Sequence, residues 1–275
     1  MSSVAAVDVL VPSLDRPEEL QRALASIETV REAEPEIEIR VQRVDRSGGA
    51  ADGPAAARNR AAASGEAEFI ALLDDDDQWL APRLSQAVSL LRAKKHIALV
   101  AGNARLTSGG SFLPSPPAEG GEGYDHGALA LNCWICSSTV TLRRTDWEEA
   151  GGMCEELDRA EDYDLWLRLT SGGRRAHLLP DFLAVYDDQG GGLSADPVAM
   201  ARATLAALER SARMPERDPR WRDRLGRLQA VVSHGLARQG QFGEARELAV
   251  QALAGAPTAR VAWTSLIRAT LQLRR

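Results

Sequence analysis

Four consecutive carboxylates, Asp74-Asp75-Asp76-Asp77, close the short apolar run Phe69-Ile70-Ala71-Leu72-Leu73. Adjacent carboxylates repel one another, and each is costly to desolvate unless a positive charge lies nearby. A row of acids at the end of a buried strand is therefore read as the seat of a divalent cation. Mg2+ and Mn2+ take oxygen ligands, and Mg2+ commonly combines one or two protein carboxylates with substrate phosphates. Asp77 also precedes Gln78-Trp79-Leu80, where an acid would suit a helix N-terminus. That role accounts for one or two of the acids and leaves the rest unexplained. Cys133-Trp134-Ile135-Cys136 has redox or zinc spacing, but there is no second pair. The four histidines, His96, His126, His177 and His234, show no ligand spacing. The cysteines are read as inert core thiols in a strand running from Cys133 to Arg143.

The elements around these residues follow from hydrophobic periodicity. Val7–Val11 is a β-branched strand ended by Pro12-Ser13, and Pro17-Glu18-Glu19 opens a helix with proline and acids in its first turn. Ile37–Val44 alternates as a strand and ends at Asp45-Arg46-Ser47-Gly48-Gly49. Gly53-Pro54 starts an Ala-rich helix through Ala63; Phe69–Leu73, the helix Pro82–Lys94 and the strand Ile97–Ala101 follow. A β-α-β-α-β-α-β order with short connections predicts an α/β fold with a parallel sheet, its ligands bound beyond the carboxyl ends of the strands. Pro12-Ser13, Asp45 and Asp74–Asp77 all lie at such ends. Further on, Thr107–Gly123 is a Gly-, Pro- and Ser-rich loop. Thr145–Glu149 starts a helix that stops at Gly151-Gly152. Glu161–Leu169 is a helix with acids in its first turn, His177–Tyr186 is extended, and Gly190-Gly191-Gly192 is a turn. Beyond Pro197 the pattern is helical, with a linker around Met214-Pro215 and Asp218-Pro219.

Bulk properties narrow the function class. The chain has 275 residues, enough to bury a full core, with ordinary hydrophobic (44%) and charged (26%) content for a soluble globular protein. No apolar stretch approaches the length needed to span a bilayer, and no secretory signal is visible, so cytoplasmic residence is the expectation. The net charge of −6 is asymmetric: residues 201–275 carry 14 Arg against 6 Asp or Glu, +8, which leaves −14 for residues 1–200. The acidic front argues against a nucleic-acid grip there. The basic tail would suit an acidic partner or peripheral contact with membrane headgroups, although Arg-studded helical faces are more often simply solvated.

Together, Val9-Leu10-Val11-Pro12-Ser13-Leu14-Asp15-Arg16-Pro17, Val44-Asp45-Arg46-Ser47, Ala57-Arg58-Asn59-Arg60, Leu73–Asp77 and Glu161–Leu169 resemble, in order and spacing over residues 5–195, the family 2 glycosyltransferases of GT-A fold. The resemblance implies a Rossmann-like, mostly parallel sheet with helices on both faces, residues 1–195 forming the catalytic domain and 196–275 a helical region. It implies that Pro12, Ser13, Asp15 and Asp45 hold the nucleotide, with Arg58 near the base or diphosphate. The family's Asp-X-Asp maps to Asp74-Asp75-Asp76, with Asp76 the direct ligand of Mn2+ or Mg2+ and Asp74 nearer the ribose. Asp162 takes the place of the general base. Inverting transfer needs such a carboxylate to accept the acceptor's proton opposite the leaving group, while helix capping is the plain structural use of Asp there. Two departures stand out. The usual second acid after the second strand is Arg46, and the family's lid histidine is replaced by Gln189, which donates a hydrogen bond but carries no charge.

Gly240–Pro257 is similar to the second half of a tetratricopeptide repeat. One repeat cannot bury its own face, so it must pack on the catalytic domain, on neighbouring helices or on a second subunit as a homodimer. The expected function is an inverting, metal-dependent transfer from a nucleotide-sugar, UDP-linked by preference, to a glycan, lipid, peptide or small-molecule hydroxyl. A sugar nucleotidyltransferase would show a Gly-rich basic loop after the first strand, and Leu14-Asp15-Arg16-Pro17 is not one. A non-catalytic nucleotide-binding scaffold with a partner-binding tail would be expected to lose Asp76 or Asp162.

Overall fold

A computed structural model of the chain describes residues 4–45, 53–113, 123–133, 135–190, 195–211 and 219–271. The Arg46-Ser47 turn, much of the Thr107–Gly123 loop, Gly191–Ser194 and the Met214-Pro215 linker lie outside these residues.

A seven-stranded sheet runs in the order β2-β1-β3-β6-β5-β7-β4. Its strands are β1 (Ala5–Ser13), β2 (Ile37–Asp45), β3 (Phe69–Leu72), β4 (Gln78–Trp79), β5 (Ile97–Leu106), β6 (Thr141–Arg143) and β7 (Arg175–Tyr186). β1 pairs in parallel with β2 and β3, and β5 with β7; β6 and β4 run antiparallel to their neighbours. Successive side chains of β1, β3 and β5 serve opposite faces, as a pleated strand requires. Val7, Val9, Val11, Phe69, Ala71, Leu73 and Val100 pack against α1 (Pro17–Ala33) and α3 (Leu84–Ala93). Leu10, Ile70, Leu72, Leu99 and Leu142 face the other core, shared with α2 (Pro54–Ala63), α4 (His126–Leu131) and α6 (Glu161–Thr170). The short helix α5 (Arg144–Glu149) follows β6.

The strand expected from Cys133 onward is corrected. Ser137–Thr139 form a single 3-10 turn, and β6 begins only at Thr141. The turn is fixed by polar contacts that a strand could not make: the Ser138 carbonyl accepts from Trp79 Nε1 and Arg83 Nη2, both at 2.9 Å. Gln78–Trp79 is the edge strand β4, so Asp77 does not sit at a helix N-terminus.

Four helices follow among the described residues: α7 (Pro197–Arg210), α8 (Pro219–Arg238), α9 (Phe242–Gly255) and α10 (Arg260–Leu271). Asp196 caps α7, accepting from the backbone N–H groups of Val198 (3.0 Å) and Ala199 (3.1 Å). α8 and α9 touch closely because Gly226 has no side chain; a Cβ there would lie 2.5 Å from the Ala252 carbonyl oxygen. No helix among the described residues is long and apolar enough to cross a membrane.

Candidate active site

The parallel pairing of β1 with β2 and β3 brings three chain segments to one edge. Ser13 lies opposite Asp45 in the β1–β2 register, and the acid row leaves β3 beside them. The structure accounts for each acid separately. Asp74 is paired with Arg58, whose Nη1 also donates to Glu161 (2.7 Å). Asp75 accepts from the Leu14 backbone N–H (3.2 Å), and Asp76 pairs with Arg16. Asp77 is turned inward, 1% exposed, and accepts from the Ser138 hydroxyl and the Asp187 N–H (2.9 Å). Repulsion within the row is thus offset by two guanidinium groups drawn from β1–α1 and α2, before any metal is considered. Burial, reinforced by Asp74, pushes the Asp77 carboxyl up to about 8. Asp76 is also raised, chiefly by burial and by Asp74, against the pull of Arg16.

Two cavities meet here. One, of about 230 Å³, is lined by Pro12, Arg16, Arg58, Asp74, Asp75 and Asp76, and by Asp162. The other, of about 1280 Å³, opens toward α4 and α8. Asp74, Ser137, Ala160, Asp162, Tyr186 and Met200 line both. Asp162 therefore stands on a shared wall, half-buried at the start of α6, where it accepts from the Tyr163 N–H (2.6 Å). Burial and the neighbouring Glu161 push its carboxyl up to about 7, against the pull of Arg58. A carboxyl with a pKa near neutrality is tuned for proton transfer. The Ser137 hydroxyl, also on that wall, is buried with no hydrogen-bond partner among the described residues.

Backbone strain collects at the same place. Asp15 (φ 51°) and Ala160 (φ 58°) are the two non-glycine residues with left-handed φ among those described; Ala160 lines the small cavity, and Asp15 lies between Leu14 and Arg16, which do. Such conformations persist where the surroundings over-determine them, and they cluster at active sites.

Not every expected residue reaches the cleft. Asp15 is exposed and lines neither cavity, because the left-handed turn at this residue carries Arg16 to the acid row instead. Ser13 is buried at the end of β1, with Pro12 the residue that lines the cleft. Gln189 is exposed and lines neither cavity; its N–H donates to Asp187 (3.0 Å), and Tyr186 and Asp187 are the described residues of this segment at the cleft. The side chain of Asp45 lies outside the described residues. Arg16, Ser138 and Asp187 were not singled out by sequence reasoning. Arg16 alone had a visible signal, as a cation in the quoted Leu14–Pro17 turn. Cys133, Cys136 and Cys154 are free, and burial pushes the Cys133 thiol up to about 12, as expected for unreactive thiols.

Among the described residues no group of three or more metal-type side chains is preassembled. The oxygen-only pair Asp74 and Asp76, with 27% and 21% of their side chains exposed, nevertheless fits a hard dication that takes its remaining ligands from phosphate and water.

Residues 43–151 match the sequence profile of the family described as Glycosyl transferase family 2. This match covers less than half of the chain. The chain is 33% identical over 119 residues to the Escherichia coli UDP-Glc:alpha-D-GlcNAc-diphosphoundecaprenol beta-1,3-glucosyltransferase WfgD, covering 43% of this chain and 45% of that protein. It is 29% identical over 139 residues to the Erwinia amylovora amylovoran biosynthesis glycosyltransferase AmsB, covering 48% and 46% respectively. The chain thus spans about half the length of the curated relatives it matches. Among solved structures it resembles S. aureus TarS 1-349 in complex with UDP-GlcNAc, with a TM-score of 0.62 and 14% identity over 96% of this chain and 89% of that one. It also resembles the mannosyltransferase PcManGT from Pyrobaculum calidifontis in complex with GDP-Man and Mn2+, with a TM-score of 0.57 and 17% identity over 97% and 86%. At these identities the likeness is one of fold, and the chain has the GT-A-like arrangement of its neighbours: a mostly parallel, curled sheet with helices on both sides.

Proposed function

We propose that the protein transfers a sugar from a nucleotide-sugar, UDP-linked by preference, to an acceptor hydroxyl with inversion. The observation that carries this reading is the position of Asp162, on the wall shared by the acid-lined cleft and the larger cavity. The donor's diphosphate lies along the smaller cleft, its nucleotide toward Pro12, Ser13 and Asp45. The acceptor enters from the larger cavity. Asp162 takes the proton of the acceptor hydroxyl as its oxygen bonds to the anomeric carbon and the bond from that carbon to the diphosphate oxygen breaks. The Ser137 hydroxyl offers a hydrogen bond to the transferred sugar. Mn2+ or Mg2+, held by Asp76 and Asp74, would neutralise the departing diphosphate when bound. Arg58 pairs with both Asp74 and Glu161 and so ties the acid row to the start of α6, beside Asp162.

The known relatives support a UDP-sugar donor and a glycan or lipid-linked acceptor, since one is named for UDP-Glc and a diphosphoundecaprenol acceptor. The same proposal divides the chain into a catalytic domain, residues 1–195, and a helical region, 196–275, of tetratricopeptide-like character able to pair with a second copy. It places the protein in the cytoplasm. The test is a thermal-shift panel of nucleoside diphosphates and nucleotide-sugars with and without Mn2+. UDP-sugars should raise the Tm with Mn2+ and do so far less with chelator or in Asp76→Asn. Equal shifts in all three would remove the metal from the account.

A further inference from the structure

We propose that the larger cavity is the acceptor's seat and that Arg224 of α8 selects acceptors carrying a phosphate ester beside the reacting sugar. The proposal rests on the transferase reading above. α8 presents Arg220, Arg224, Arg227 and Leu228 to the cavity from one helical face. Arg227 is committed to Asp223 (2.7 Å). Arg224 differs: half-buried, it donates to the Leu129 carbonyl (3.3 Å), its guanidinium carbon lies 5.4 Å from the centre of the Tyr163 ring, and it forms no ion pair among the described residues. A guanidinium held over an aromatic face and paired with no carboxylate among the described residues, in a cavity that Asp125, Asp162 and Asp223 also line, has donors left for a planar or tetrahedral anion.

The surroundings fit such a ligand. Phe112, Tyr124, Leu131 and Ile135 line the same cavity and suit the less polar body of an acceptor. Asp162 and Arg224 both line this cavity. The carboxylate that takes the proton and the cation that reads the phosphate therefore face one space. An acceptor anchored at Arg224 by its phosphate would present its hydroxyl to Asp162.

The test is calorimetry on the full chain saturated with UDP or GDP and Mn2+, so that the donor cleft is filled. Octyl diphosphate, inorganic diphosphate and octyl glucoside are titrated in turn. Octyl diphosphate should bind and octyl glucoside should bind at least about tenfold more weakly, the loss expected when a charged hydrogen bond is absent. Arg224→Gln should cost a similar factor and Arg224→Lys less, with nucleotide affinity as in the unaltered chain. Inorganic diphosphate matching octyl diphosphate would assign the charge to a soluble phosphate; weaker binding would assign it to a lipid-linked one. If the nucleotide binds but octyl diphosphate does not, or binds Arg224→Gln equally well, the acceptor proposal fails alone. If neither nucleotide binds, the transferase reading fails and takes this one with it.

Discussion

Asp162 shows how the site sets its own chemistry. Burial and Glu161 disfavour its charged form, and its pKa is pushed up to about 7. A base must be unprotonated to act, so donor turnover should fall as pH drops below about 7 and level off above it. A profile flat from pH 5 to 8 would exclude Asp162 as the base. Linkage adds a second readout. The folded pKa lies above the unfolded value of about 3.9, so the contribution to stability is fully present below that value and is lost as pH rises through the folded pKa. The Tm should therefore fall between pH 5 and pH 8 more in the unaltered chain than in Asp162→Asn. The acid row carries a related lesson. Asp74–Asp77 announced a need for positive charge, but Arg58 and Arg16 already supply much of it.

At the scale of elements, the site is held by contacts between pieces far apart in sequence. Glu34, just after α1, accepts from the backbone N–H groups of Arg83 (2.7 Å), Leu84 (2.9 Å) and Ser85 (2.6 Å), and so caps α3 from outside. Arg83 in turn reaches the Ser138 and Val140 carbonyls (2.9 and 3.2 Å), fixing the turn whose Ser138 hydroxyl meets Asp77. Glu34→Ala would leave three buried donors without their acceptor and should cost about 1–3 kcal/mol in urea denaturation. A loss under a few tenths would mean that water replaces the carboxylate freely. These links also mark what was legible in sequence. Apolar runs ending at Ser13, Asp45 and Asp74 disclosed the converging strand ends, because period and punctuation are local signals. β6 was not separable from the turn before it: three residues have no period, and tertiary pairing with β3 and β5 decides their state. Gln189 was chosen over Asp187 by motif position alone, whereas backbone contact with Asp77 decides which residue faces the cleft. Nothing in the periodicity of α8 shows which face meets the cavity.

For the whole molecule, the helical tail is part of the core as well as a wall of the larger cavity. Ala207, Leu208 and Trp221 pack into the same cluster as Leu10, Leu72 and Trp166. Trp221→Ala should therefore destabilise the chain by about 3–5 kcal/mol, seen as a lower urea midpoint with one transition. A separate early transition with the main one unmoved would make the tail an independent unit. The charge asymmetry is used internally too, since Arg210 of the basic tail pairs with Glu156 (3.1 Å) and Asp164 (3.4 Å) of the acidic front. What joins these scales is the wall shared by the two cavities, and release of nucleoside diphosphate from a panel of nucleotide-sugars tests its proposed role most directly. With Mn2+ present, the unaltered chain should release UDP from a UDP-sugar, and Asp162→Asn should do so about a hundredfold or more slowly while binding UDP normally. Release at the same rate from both proteins, or from neither with any donor, would contradict the account.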